Sequence, residues 1–468
     1  MGTINSAFQI MAGALEADQS GLSVVANDVA NASTPGYTRE VPNWQENAPV
    51  QIHGISYGTG VTETGPSSVR DRVLEQRLEQ QQQLASGSGT RLAALDTVQT
   101  LFTPDSGSSG ATAGDIGSDL TSFFDSFSSL EANPADSSLR QEVLSSASTL
   151  ASDVSNSSAS LSAQRSALDE EASGMVSQIN GLTSAIAQLN TEIQSTSPNG
   201  DAGTLEDQRQ QDLSQLSQLI GINQITTEDN GLSVTTASGE LLVSEGASYA
   251  MTAGMAGGVT HFFVSGADVT TGLQGGGGEL GGYLTARDGD IPEVMDSLDQ
   301  LAYFVSTEVN AQNHQGTDLA GDNGSDIFSQ PAAVQGSGAA MSVVMTDPDH
   351  IAAAGANEAA GDNSNAVAMA NLAKQGFVNG KTPSDYFSQF VSQLGATVDE
   401  VQAENTAQNA SLTQLQTQRD ALSAVNLNDE ASAMQQLETS YQAASQVFNI
   451  LNTVMTSALN LGVETSVS

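Results

Sequence analysis

The two ends of this chain carry the same apolar spacing, and that spacing suits helix pairing. At the start, Ile4, Phe8, Met11, Leu15, Leu22, Val25 and Val29 follow alternating steps of three and four, with Asp18 as the polar break. At the end, Met434, Leu437, Tyr441, Ala444, Phe448, Leu451, Met455 and Ala458 do the same without a break. Such spacing sets an apolar seam along one side of a helix. A lone seam would face water, so two at opposite termini predict a coiled-coil-like stem of paired N- and C-terminal helices. Everything between is then an excursion that leaves and returns through the stem. The remaining surface of the pair is open to neighbouring copies.

The excursion reads as mainly α with one small β domain inserted. Residues 36–67 read as irregular and extended, punctuated by Pro42, Pro49, Gly54, Gly58, Gly60, Gly65 and Pro66. Helices are predicted over 68–101 and, after a Gly/Ser loop at 103–114, through Ile116, Leu120, Phe123, Phe127 and Leu130. Asn133-Pro134-Ala135-Asp136 reads as a helix start. From there an apolar seam runs to about residue 195, long enough for a rod of roughly 85–90 Å. Pro198-Asn199-Gly200 ends it, and a short helix, 205–219, follows. The period then changes to short alternating pieces from Ile222 to Gly278, including a hairpin (231–235 with 240–243) and a strand at His261–Val264. Helices return at 291–312 and 384–424. The insertion is expected to be an outer β lobe, replaceable by a short linker without loss of the helical rod.

Composition narrows the function. A length of 468 residues allows two to four domains. There is no Cys, so no disulfide or thiolate chemistry. With 12 Lys plus Arg and a net charge of −42, nucleic acid and anionic membrane surfaces would repel the chain. An acidic surface also simply keeps a protein soluble. No basic n-region follows Met1, and no stretch is long and apolar enough to span a bilayer. On these grounds alone the chain would be cytoplasmic.

The run Asn27-Asp28-Val29-Ala30-Asn31-Ala32-Ser33-Thr34-Pro35-Gly36-Tyr37-Thr38-Arg39 is more specific. On local chemistry it is a helix stop: Asn31, Ser33 and Thr34 can bond nearby backbone, and Pro35-Gly36 is a turn pair. As a whole it resembles the N-terminal signature of bacterial flagellar rod, hook and hook-associated proteins, with Asp28 where a second Asn is usual. Asn426 to Ala431 and Tyr441-Gln442-Ala443 resemble the shared C-terminal signature. Leu205-Glu206-Asp207-Gln208-Arg209 through Leu219 is similar to the FlgK family of first hook–filament junction proteins. So are Gly278 to Leu284, Arg287-Asp288 and Leu298 to Ala302, continued by Asn310, His314, Gly316, Asp318-Leu319 and Gly324.

That resemblance implies a structural adaptor of the flagellum, not an enzyme, with no cofactor. It implies an extracellular location at the hook–filament junction, reached by type III export without a cleaved signal peptide. The implied partners are further copies of itself in an axial layer, hook protein below, the second junction protein above, and an export chaperone on the C-terminal helix. The expected division is 1–35 with 430–468 as the stem, 36–221 with 279–429 as the helical rod, and 222–278 as the β domain. The alternatives are another axial protein, hook or distal rod, or a secreted adhesin or enzyme acting through the β insertion.

Motifs of chemistry are weak. Gly276, Gly278 and Gly281 match GxGxxG, but no strand leads in, and Pro292 is expected to cut the following helix. Asp318, Asp322, Asn323, Gly324 and Asp326 invite a calcium reading, yet Leu319 and Gly321 stand where acids belong, and an acidic turn fits better. His53, His261, His314 and His350 lack ligand spacing, and no GxSxG elbow occurs. Trp44 reads as a local packing anchor.

Overall fold

The computed structural model describes residues 2–52, 54–102, 116–197, 201–227 and 230–464. Helix α1 (Gly2–Asn31) leads into strands β1 (Glu40–Glu46), β2 (Val50–Ile52), β3 (Ile55–Tyr57) and β4 (Val61–Ser68). Helices α2 (Arg72–Thr100), α3 (Ile116–Ala132), α4 (Ser137–Thr196) and α5 (Thr204–Leu219) follow. Strands β5 (Ile222–Thr226), β6 (Leu232–Thr236), β7 (Leu241–Ser244), β8 (Ala247–Ser248), β9 (Met251–Ala256), β10 (Val259–Val264) and β11 (Ala267–Asp268) form the insertion. The chain returns through α6 (Thr270–Gln274), α7 (Gly278–Thr285), a π-helical turn (Ala286–Asp290) and α8 (Ile291–His314). Short α9 (Ser337–Ala340) and α10 (Ser364–Leu372) precede the long α11 (Pro383–Ser423) and α12 (Leu427–Glu464).

Two expectations need correction. Residues 36–67 are not irregular: β1 pairs with β4, and β2 with β3, all antiparallel. The alternation was hidden because little of this unit is buried, so neither face must be apolar. Pro42 faces Pro66, neither can donate to the ladder, and the register shifts just beyond, between Asn43 and Trp44. Nor does Pro292 cut a helix. The helical path from Gly278 continues to His314 through the π turn, where the Ile291 amide reaches back to the Ala286 carbonyl. Pro292 follows the π turn directly, and the widened turn accommodates the N–H that proline lacks. The 103–114 loop, Pro198-Asn199-Gly200 and His53 lie outside the described residues.

The long helix is a single element of 60 residues, about 90 Å end to end. Asp136 caps it, its carboxylate accepting from Ser138 N at 2.8 Å and Leu139 N at 3.3 Å. Gly174 and Gly181 pass through it without a break. Its two halves enter different cores. The first half packs Val143, Ala147, Leu150, Val154 and Leu161 against α3 and α8, in a core that α11 also joins and where Phe123 meets Phe328 at 5.4 Å. The second half packs Ile179 and Ile186 against Leu216, Val234, Leu242, Val243, Phe262, Val264 and Leu280.

The β insertion therefore has no core of its own, contrary to the expected replaceable lobe. Its sheets, in orders β5-β6-β7-β8 and β11-β10-β9, press their apolar sides onto α4, α5 and α7. Polar staples reinforce this. Asn180 brackets Met251, accepting from its N at 2.8 Å and donating to its O at 2.9 Å. Fully buried Arg287 donates to the Thr260 carbonyl at 2.9 Å and ion-pairs with Asp169 and Asp288. The glycine run that resembled a nucleotide loop serves close packing instead: a Cβ on Gly278 would come within 2.5 Å of the Ile220 backbone, and one on Gly282 within 2.4 Å of Gly87 O.

Candidate assembly surface and the joint at its base

Helices α1 and α12 lie side by side. Phe8 and Phe448 meet edge to face, their centroids 4.7 Å apart. Leu437 sits so close to α1 that a Cβ on Gly21 would fall 3.0 Å from its Cδ2 and 3.2 Å from Trp44 Cζ2. Strands β1 and β4 also rest on α1: a Cβ on Gly13 would lie 2.9 Å from Val61 O, and Ser20 Oγ donates to Glu63. The sequence reading had grouped these strands with the rod.

The seam residues are unevenly covered. Val25 is buried, and Ile4, Phe8, Met11, Leu15, Leu22, Met434, Leu437, Phe448 and Leu451 are partly buried. Val29, Tyr441 and Met455 are exposed. The side of α1 that is best covered runs through Ala17, Asp18, Val24, Val25 and Asp28, rotated slightly from the expected seam. Asp18, read as a break, is inside it. Among the described residues α12 has no fully buried apolar side chain. It carries a second apolar stripe as well: Val447, Ile450, Val454 and Leu459 are exposed, Ile450 at 62%. Steps of three and four from Val447 to Val454 were there to be read, but the stronger seam beside them drew the pattern.

At the base of the stem the motif residues fold into one hydrogen-bonded knot. Asn31 Nδ2 donates to Asn27 O and Oδ1, both at 3.0 Å, and Thr34 Oγ1 donates to Asn31 Oδ1 at 3.1 Å. Asn27 Nδ2 donates to Tyr37 Oη at 3.0 Å. Gly36 takes a φ of 81°, which glycine tolerates, while Pro35 is exposed. Tyr37 Oη in turn donates to Asp28 Oδ1 at 2.6 Å, and Glu40 N donates to the same oxygen at 3.1 Å. Asp28, which looked like a mild departure from a motif, is the centre of the knot.

The next residues tie stem to body. Thr38 N donates to Asp207 Oδ2 at 3.0 Å, and Arg39 N to Ser423 O at 2.9 Å. Arg39 pairs with Glu430 of α12 at 3.6 Å, and Arg70 with Glu206 at 2.9 Å and with Asp207. A cavity of about 380 Å³ beside the joint is bordered by Asp18, Arg39, Glu40, Trp44, Glu430 and Leu437. Trp44 of β1, itself 44% exposed, borders this cavity against α1 at Gly21 and beside Leu437 of α12. Burial lifts the Asp28, Glu40, Asp207 and Glu430 carboxyls above the ordinary carboxylate range, and lifts the Tyr37 phenol.

Asp318 accepts from Ala320 N and Asp322 N, both at 2.9 Å, and meets His350 Nδ1 at 2.8 Å, closing an acidic turn. Among the described residues no three His, Asp or Glu side chains converge as a metal site, and no helix is long and apolar enough to cross a membrane.

Comparison with known proteins agrees with this architecture. The family model for the flagellar hook-associated protein FlgK helical domain matches residues 106–328, and that for the flagella basal body rod protein matches residues 8–38. The flagellar hook-associated protein 1 of Bacillus subtilis is 28% identical, with 96% of each chain covered. Those of Salmonella typhimurium and Escherichia coli are 24% and 23% identical, over 96% of this chain and 98% of theirs. The chain is similar to FlgK flagellar hook-associated proteins along nearly its whole length. The fold is shared with the solved flagellar hook junction protein FlgK of Burkholderia pseudomallei, at a TM-score of 0.65 and 18% identity, over 74% of this chain and 99% of that one. With this likeness the chain is a structural component of the flagellum, and the rod-protein model falls on α1 and the knot at its end.

Proposed function

We propose that this chain is the structural adaptor between the hook and the filament side of a bacterial flagellum, and that it works by self-assembly into an axial layer. One observation carries the reading: α1 and α12 pair, yet the pair leaves a long apolar surface uncovered. Phe8, Leu15, Val29, Leu437, Phe448 and Leu451, with Tyr441 and Met455, are the assembly seam, completed by neighbouring copies. Its mechanism is geometric, since the stem forms the inner wall and the body an outer layer. The resemblance of 205–219 and 278–328 to first junction proteins favours this role over hook or distal rod.

The division that follows is 1–35 with 430–468 as stem, 36–221 with 279–429 as rod, and 222–278 as the β insertion, with β1–β4 as a collar on α1. Hook protein is the neighbour below and the second junction protein the neighbour above. Before export through the type III channel, without a cleaved signal, a chaperone covers the C-terminal helix. A strain lacking the protein should build hooks without attached filaments and release flagellin into the medium, both restored by the intact gene. Normal filaments on the deletion strain would refute the role.

A further inference from the structure

One cluster of titratable groups remains unexplained by the seam. Asp28 is fully buried, and while its Oδ1 holds two hydrogen bonds, its Oδ2 has no partner. A buried charged oxygen without a donor is costly. The surroundings make charge harder still. Tyr37 and Arg39 come from the connecting segment and Glu40 from β1; Asp429 and Glu430 come from α12. Asp201 precedes α5, Asp207 lies in its first turn, and Arg70 follows β4. With Glu206, seven carboxyl groups thus stand with three guanidinium groups, Arg39, Arg70 and Arg72. Arg70 is already held by Glu206 and Asp207, and Arg39 by Glu430. Asp28 has no ion pair of its own: Arg39 acts on it only from a distance, and burial outweighs that pull, at the point where stem and body are joined.

We propose that Asp28 is a positioning residue for assembly: with a proton on its carboxyl the stem is seated firmly on the body, and on ionisation the joint loosens. The proposal rests on the stem being the assembly element. A proton on Oδ2 removes the charge from a buried oxygen that has no donor to satisfy it. Burial raises Asp28, Glu40, Glu430 and Asp207 together, so the direction is fixed. Groups raised in the folded joint support it fully below the ordinary carboxylate range, and that support is lost as pH rises through their raised values. The angle of the stem is therefore stiffest in mild acid.

The test is hydrogen exchange on the full chain, corrected for intrinsic rates, at about pH 5 and about pH 8. In the wild type, protection of residues 20–31 and 427–436 should fall by roughly fivefold or more at the higher pH, with α4 unchanged. Trp44, the sole tryptophan, borders the joint cavity and should shift its emission in parallel. Asp28→Asn should remove most of the fall in both readouts. An equal fall in Asp28→Asn, or no fall in the wild type, overturns the proposal. If Asp28→Asn also loses α4 protection and so fails to fold, Glu430→Gln decides: a smaller fall supports the latch and an unchanged fall refutes it. A flat profile would leave the junction role standing, whereas normal filaments on a deletion strain would leave the latch standing.

Discussion

Glu79 on α2 offers the sharpest energetic prediction. It is 2% exposed and sits where α2, α5 and β5 meet. Its carboxylate accepts from the side-chain amides of Gln210 and Gln224, and the only charge bearing on it is Glu75, of the same sign. Burial pushes its pKa up to about 8 from an ordinary 4.5. An acid raised in this way weakens the fold progressively above its unfolded value. At pH 7 the span above 4.5 is worth at most about 3 kcal/mol, at about 1.4 kcal/mol per unit. Glu79→Gln mimics the protonated acid at every pH, and reorienting one amide returns about 1 kcal/mol of that. The expected net effect is a gain of about 2 kcal/mol at pH 7, a loss of about 1 kcal/mol near pH 4.5, where only the amide cost remains, and the largest gain above pH 8. A chain with two cores need not unfold in one step, so the readout is local hydrogen exchange of α2 and α5 across this pH range. A variant less protected than wild type at pH 7, or a difference that does not change with pH, would refute the reasoning.

Three further outcomes are expected. Replacing residues 224–276 by a short linker should uncover Ile179, Ile186, Leu216 and Leu280, and the second half of α4 should lose exchange protection while Val143–Leu161 keep theirs; full protection throughout would restore the separable lobe. Phe123→Ala should cost about 3–5 kcal/mol, read as urea sensitivity of α3 and α8, because its ring is fully buried among Phe124, Phe127 and Phe328. Leu451→Asp should leave the body folded but block incorporation into flagella, and in the wild-type monomer the stem should fray from its tip toward the anchored joint; strong protection at both tips in a verified monomer would show a preformed stem.

The limits of legibility can be traced residue by residue. Strong 3.6-residue periodicity over long spans made α3, α4, α5, α8 and α11 visible, because each buries a continuous stripe and a helix repeats its faces without outside help. Asp136 announced the start of α4 by its chemistry alone, since a carboxylate satisfies the free amides of a first turn. The hairpins between Glu40 and Ser68 were hidden because they are only lightly buried, and a strand that covers nothing leaves no alternation to read.

What the sequence by itself determined was the set of helices, the alternating insertion and the two terminal seams: these follow from local spacing, which the chain carries within each element. Tertiary structure alone decided the rest. It made the β insertion and the distal half of α4 one core, it let a π turn carry the helix past Pro292, and it buried Asp28 with one carboxylate oxygen unpartnered. Each of these depends on residues far apart in the chain, or on a ring of hydrogen bonds that adjusts to its neighbours. No local pattern encodes the burial of Asp28 beneath the connecting segment and β1, and that burial sets the energy of the joint.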